Sequence, residues 1–174
     1  LKVPRIITHY KKFTGTEQLL TDFYGVVQEG LGNKLGAVLF QLPPQFAYSP
    51  ERLQLLISSV KKEYNNVIEF RHNSWWQQKV YDELGKHTIS FCGSSHPKLP
   101  DDLIINTSIV YYRFHGVPEL FRSWYENDFL QKKAAGIKEN KKTTTAYMYF
   151  NNTAGPAALA NAKWLQDYVS AGKQ

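Results

Sequence analysis

An α/β fold built on a parallel sheet is what this chain predicts, and three observations carry the prediction. Five short runs rich in β-branched and aromatic residues recur along its 174 residues. Between them, apolar side chains repeat at helical spacing. Several of the short runs are apolar on both faces, as strands covered by helices on either side must be.

The expected strands are "GAVLFQ" (36–41), "NVIEFR" (66–71), "HTISFC" (87–92), "IVYYRFH" (109–115) and "TTAYMYF" (144–150). The first helix is expected from the stripe Leu19, Leu20, Phe23, Val26 and Val27, with Thr14 and Glu17 at the spacing of a capping box. A second follows from Leu53, Leu56, Ile57 and Val60, entered through Ser49 as cap and Pro50 at the first helical position. Trp76, Val80 and Leu84 after Ser74 mark a third, with Gly85 as its stop. The segment 126–139 carries Leu130, Ala134 and Ile137, and Ala158, Ala162, Leu165 and Val169 follow Gly155-Pro156. The stretch 93–108 holds two prolines and no helical stripe, so it reads as a loop. Strand then helix, repeated, implies right-handed crossovers between parallel strands. An open doubly wound sheet and part of an eight-stranded barrel both fit. "QLPPQF" stands where a dinucleotide fold carries its glycine-rich phosphate loop, which weakens the first option.

The length suits a single domain over 1–174, and 43% hydrophobic with 21% charged residues permits a buried core. No run reaches the ~20 apolar residues that cross a bilayer. No basic-then-apolar leader opens the chain, and one cysteine, Cys92, leaves no internal disulfide, so a cytoplasmic setting is expected. The first residue is leucine, which suggests a piece of a larger protein. A net charge of +6 favours anionic partners, although the lysine pairs are scattered in the manner of solvated faces.

In either architecture ligands bind at the carboxyl ends of the strands. Those ends read Gln41, then Glu69-Phe70-Arg71-His72, then Cys92-Gly93-Ser94-Ser95, then Arg113-Phe114-His115-Gly116, then Asn151-Asn152. Nearly all are polar where the first halves of the strands are not. Alternation puts Glu69 with Arg71 on one face, Tyr111, Arg113 and His115 on another, and Tyr147, Tyr149 and Asn151 on a third. The expectation is that these faces converge on one hollow. Arg71 and Arg113 are the candidate clamps for a phosphate or carboxylate. His115 and Glu69 are the candidate catalytic acid/base groups. Gln41, His72, Asn151 and Asn152 are candidate substrate-binding residues, the asparagines preceding a helix start that attracts anions. An internal ion pair of Glu69 with an arginine is the bland alternative, and His72 reads equally as a turn residue. A metal held by Glu69, His72 and His115 lacks the usual ligand spacing, and no metal or cofactor is assigned. Cys92 reads as a small buried hydrophobe.

"LFQLPPQF", "IEFRHNSWW", "YYRFHG" and "YFNNTAGPAALANAKWL", in this order, resemble the YecE-like family, domain of unknown function 72. "LKVPRIITHYKKF" is similar to that family's segment at the end of its third strand. The resemblance implies a TIM-barrel-like fold of which this chain is the carboxyl-terminal two-thirds, lacking roughly the first two and a half βα units of a barrel of about 250 residues. It carries no agreed activity. The expected function is therefore an enzyme or enzyme relative that binds a small anionic substrate. A nucleic-acid-binding module and a non-catalytic scaffold with a structural polar cluster are the alternatives. Open sheet edges would be covered by an absent amino-terminal segment or by a second copy.

Overall fold

Five parallel strands and five α-helices follow one another in the computed structural model, which describes residues 1–171, in alternation except that β3 is followed directly by β4. The strands are β1 (Val38–Gln41), β2 (Asn66–Glu69), β3 (Ser90–Ser95), β4 (Ile109–Phe114) and β5 (Thr145–Phe150). The helices are α1 (Glu17–Leu31), α2 (Pro50–Ser59), α3 (Gln78–Lys86), α4 (Asn127–Glu139) and α5 (Ala157–Ala171). The chain divides into two compact units, Leu1–Phe91 and a second from Cys92 onward, so β3 begins in one and ends in the other. No described helix is long and apolar enough to cross a membrane.

In the first unit β1 pairs with β2, Gln41 opposite Glu69, and β2 pairs with the start of β3, Ile68 opposite Phe91. The opening residues run parallel to β1 on its other side, with Val3 N–H donating to the Leu39 carbonyl at 2.9 Å. Alternation then assigns the faces. Phe40 meets Phe13 and Tyr24 of α1, while Phe91 meets Trp76 and Tyr81. Leu39, Gln41, Val67 and Glu69 therefore share the opposite face.

The helix predictions hold with local corrections. Ser49 caps α2 by accepting the Arg52 N–H, and Pro50 opens it. The expected Thr14–Glu17 box does not form: α1 starts at Glu17 behind Thr16, whose hydroxyl bonds back to Phe13. Its buried stripe is Leu20, Tyr24 and Val27, and Val26 faces solvent. Trp76 precedes α3 rather than joining it, and Gly85 lies inside the helix. Trp75 is wholly buried, stacked 4.1 Å from Phe70, which makes it core.

In the second unit β3, β4 and β5 pair in that order, Ser94 opposite Arg113 and Arg113 opposite Tyr149. Tyr112 and Phe114 turn toward α4 and α5, packing with Tyr125, Leu130, Ala134 and Leu165. Gly93 sits on that same side. A Cβ built on it would lie 2.5 Å from the Tyr112 ring, so only glycine lets the ring lie flat across β3. The other side of β5 has no strand paired to it among the described residues.

Candidate functional site

The first unit gathers charge at the ends of β1 and β2. Glu69 has no exposed surface, and its carboxylate meets Arg71 Nη2 at 2.7 Å. That contact neutralises a group that could not otherwise stay ionised at such depth. Gln41 Oε1 accepts from Lys2 Nζ at 2.8 Å. A wide π-helical turn, Ile6–Tyr10, carries His9, whose Nδ1 lies 2.9 Å from the Thr8 hydroxyl. Burial first, then the nearby cations Arg5, Lys2 and Arg71, push the His9 imidazole below its ordinary range. Lys2, Arg5 and His9 join the predicted Arg71 and were not singled out in the sequence. Basic residues spaced through the opening stretch LKVPRIITHYKK were the signal available.

His72 is differently employed. Its Nδ1 accepts the Ser74 N–H at 3.2 Å and lies 2.8 Å from the Ser74 hydroxyl, so it caps the short turn Asn73–Trp75. That geometry is the turn-residue alternative weighed for it.

The second unit lays three rows of side chains across one face of its sheet. Cys92, Tyr111 and Tyr147 are register partners in the lowest row. Ser94, Arg113 and Tyr149 form the next. Beyond the strand ends, the His96 ring lies 5.8 Å from that of His115, and His115 Nδ1 meets Asn151 Nδ2 at 3.1 Å. With the amide donating, Nδ1 is an acceptor and the His115 proton sits on Nε2. His115 is completely buried, whereas Arg113 is half-buried and Tyr149 is 47% exposed. The face thus opens from a buried imidazole toward an accessible aromatic ring. Ser94 is also buried, and its hydroxyl finds no hydrogen-bond partner among the described residues. A buried hydroxyl in that state is a place for a bound polar group. The three tyrosines lie together: Tyr111 is 5.1 Å from Tyr149 and 5.9 Å from Tyr147.

Asn152 is separated from this face. It is buried, and its amide donates to the Ser123 carbonyl at 3.0 Å and to Asn161 Oδ1 at 3.2 Å. Asn161 of α5 in turn holds both the N–H and the carbonyl of Tyr125. Tyr125 accepts the Gly116 N–H at 2.7 Å. These bonds fix the segment after β4, where Gly116 has φ +93 and a Cβ would strike the Glu119 carbonyl at 2.7 Å. Asn152 thereby braces the loop that follows His115. No group of three or more histidine, cysteine, aspartate or glutamate side chains that could hold a metal exists among the described residues. Cys92 is buried, in keeping with a packing role.

A large hollow of the second unit lies elsewhere. A groove of about 1020 Å³ runs between α4, β5 and α5, lined by Ile137, Ala146, Met148, Leu165 and Val169 among others. It is apolar and faces the helices, whereas the polar side chains stand on the opposite face of β5. Chemistry, not volume, selects the strand-end face.

Parallel strands, covering helices and polar strand ends define an α/β protein in which each unit bears cations at the carboxyl ends of its own strands. The whole chain, residues 1–174, matches the family described as protein of unknown function DUF72, and it belongs to that family. A solved DUF72 structure from Thermotoga maritima superposes with a TM-score of 0.86 at 24% identity, covering 97% of this chain and 72% of that one. Two structures of a DUF72 protein from Enterococcus faecalis give TM-scores of 0.83 and 0.79 at 20% and 22% identity. This chain covers 73% and 76% of their lengths. At such identities the likeness establishes the fold. No curated protein matches the chain.

Proposed function

We propose that this protein, read as a YecE-like member of its family, binds a small phosphate- or carboxylate-bearing molecule at the carboxyl ends of its strands. The TIM-type barrel and the further βα units implied by the resemblance belong to the same proposal. The observation that carries it is the row Ser94–Arg113–Tyr149 beneath the buried His115–Asn151 pair. A guanidinium offers paired donors in a plane that matches a carboxylate or phosphate, and the Ser94 hydroxyl supplies a further buried polar contact. His115 is the candidate proton carrier through Nε2, and Asn151 is its orienter. In the first unit Arg71, Lys2 and Gln41 offer donors and amide groups beside Glu69, the second candidate catalytic group. Asn152 and His72 act by positioning their loops.

Thermal stabilisation by a panel of phosphorylated and carboxylated metabolites tests the reading. The intact protein should gain melting temperature with at least one class, and Arg113→Leu should abolish the gain. Identical shifts in the variant refute the role of Arg113.

One observation favours a structural reading of the first unit. The Glu69–Arg71 contact is short and buried, as an internal ion pair would be. A scaffold reading predicts that breaking it damages stability while leaving ligand-induced shifts unchanged.

A further inference from the structure

We infer that His72, besides capping its own turn, donates a hydrogen bond from Nε2 to an oxygen of the anion bound at the strand ends of the first unit. This rests on the anion-binding reading above and adds a contact to it. The place of the ring proton follows from Nδ1. The Ser74 backbone N–H meets that nitrogen at 3.2 Å, and a backbone N–H can only donate. Nδ1 is therefore an acceptor, and the proton sits on Nε2. Ser74 secures the arrangement further, its hydroxyl lying 2.8 Å from Nδ1 while accepting the Tyr48 N–H at 2.7 Å.

A turn cap needs less than an imidazole. Asparagine, aspartate or serine would accept the same N–H from a shorter side chain. The ring adds a second polar edge, and Nε2 is open to solvent, with no partner among the described residues. The mounting of that edge is rigid. Trp75, next but one in the turn, is wholly buried, stacks on Phe70 at 4.1 Å and donates from Nε1 to the Phe46 carbonyl at 2.6 Å. Ser74 and Trp75 thus fasten the segment after β2 to the segment after β1. β2 itself lies between β1 and β3, so His72 does not extend a sheet edge. A donor fixed before the ligand arrives gives up no rotamer freedom when it is used. A neutral N–H selects for an oxygen acceptor, as a phosphate or carboxylate presents, and against an ammonium or guanidinium group that offers only donors.

Calorimetry with inorganic phosphate and with acetate, on the intact chain and two variants, tests the contact. His72→Asn keeps an acceptor at the place of Nδ1 and removes the donor, whereas His72→Gln sets an amide N–H near the place of Nε2 and gives up the cap. The anion that the wild type binds should bind about tenfold more weakly, or worse, to His72→Asn, the worth of one hydrogen bond to a charged group. The urea midpoint of that variant should stay near the wild-type value. His72→Gln should keep the affinity to within about threefold while losing resistance to urea. Unchanged affinity in a folded His72→Asn variant overturns the inference, leaving anion binding standing and His72 a turn residue only. An equal loss of affinity in both variants also overturns it, since the loss would then follow the turn. Binding of neither anion by the wild-type chain removes the anion reading, and this contact with it. Nitrogen NMR of the wild-type ring decides the matter even if the variants fail to fold. The bound anion should shift Nε2 and its proton, and an unmoved Nε2 or a proton found on Nδ1 overturns the assignment.

Discussion

Replacing Arg71 with methionine isolates the most buried charge in the first unit. The substitution keeps an unbranched apolar stem and removes the guanidinium that lies 2.7 Å from the Glu69 carboxylate. Charge centres about 4 Å apart attract by about 4 kcal/mol at an effective dielectric of about 20. Removing one partner of a buried pair costs about 3–5 kcal/mol, because the remaining charge loses its close counter-charge. Urea unfolding at pH 7 should therefore show a midpoint lowered by about 1.5–2.5 M, taking a slope of about 2 kcal/mol per M. Adding Glu69→Gln to Arg71→Met removes the stranded charge and should restore most of the loss. A single variant within about 1 kcal/mol of wild type at pH 7 would refute the argument, since a buried pair cannot be broken that cheaply. So would a double variant no more stable than the single one.

Gly93→Ala should cost about 2–3 kcal/mol in chemical denaturation, since the new methyl would sit 2.5 Å from a Tyr112 ring already held by Asp101 and Phe114. Asn161→Ala should lose about 2–4 kcal/mol by stranding the Tyr125 backbone and the Asn152 amide, and proteolysis should then cut within 116–124 faster. His9 is held below its ordinary range in the folded chain, so the unfolded state takes up its proton first as pH falls. Stability should therefore decline from about pH 6.5 downward, and His9→Gln should flatten that part of the profile.

The order of elements was legible because alternation and helical stripes are properties of the chain itself. Four strands lie within two residues of their expected ends. β3 is the exception, expected over 87–92 and found at Ser90–Ser95. His87 and Thr88 resemble strand formers, yet His87 closes α3 and Thr88 turns with φ +57. Gly93-Ser94-Ser95 has the composition of a turn, yet it continues the strand because Tyr112 needs the space above Gly93. That shift hid Ser94, which becomes a register partner of Arg113 instead of a loop residue, and it hid His96 at the strand's true end. Alternation grouped Arg113 with Tyr111 and His115, and Tyr147 with Tyr149, while the β4–β5 register puts the two groups on one face. The roles of Asn152 and His72 were not legible, since an amide or imidazole at a strand end looks the same whether it meets a ligand or the neighbouring loop.

The unpaired flank of β5 bears on selectivity as well as on folding. A strand laid there in parallel would extend the row Ser94–Arg113–Tyr149 by one side chain, about 4.8 Å beyond the tyrosine. The side chain in that slot would set how much room remains beside Arg113 for a bound anion. Two homologues with identical residues at 94, 113 and 149 would then prefer anions of different size.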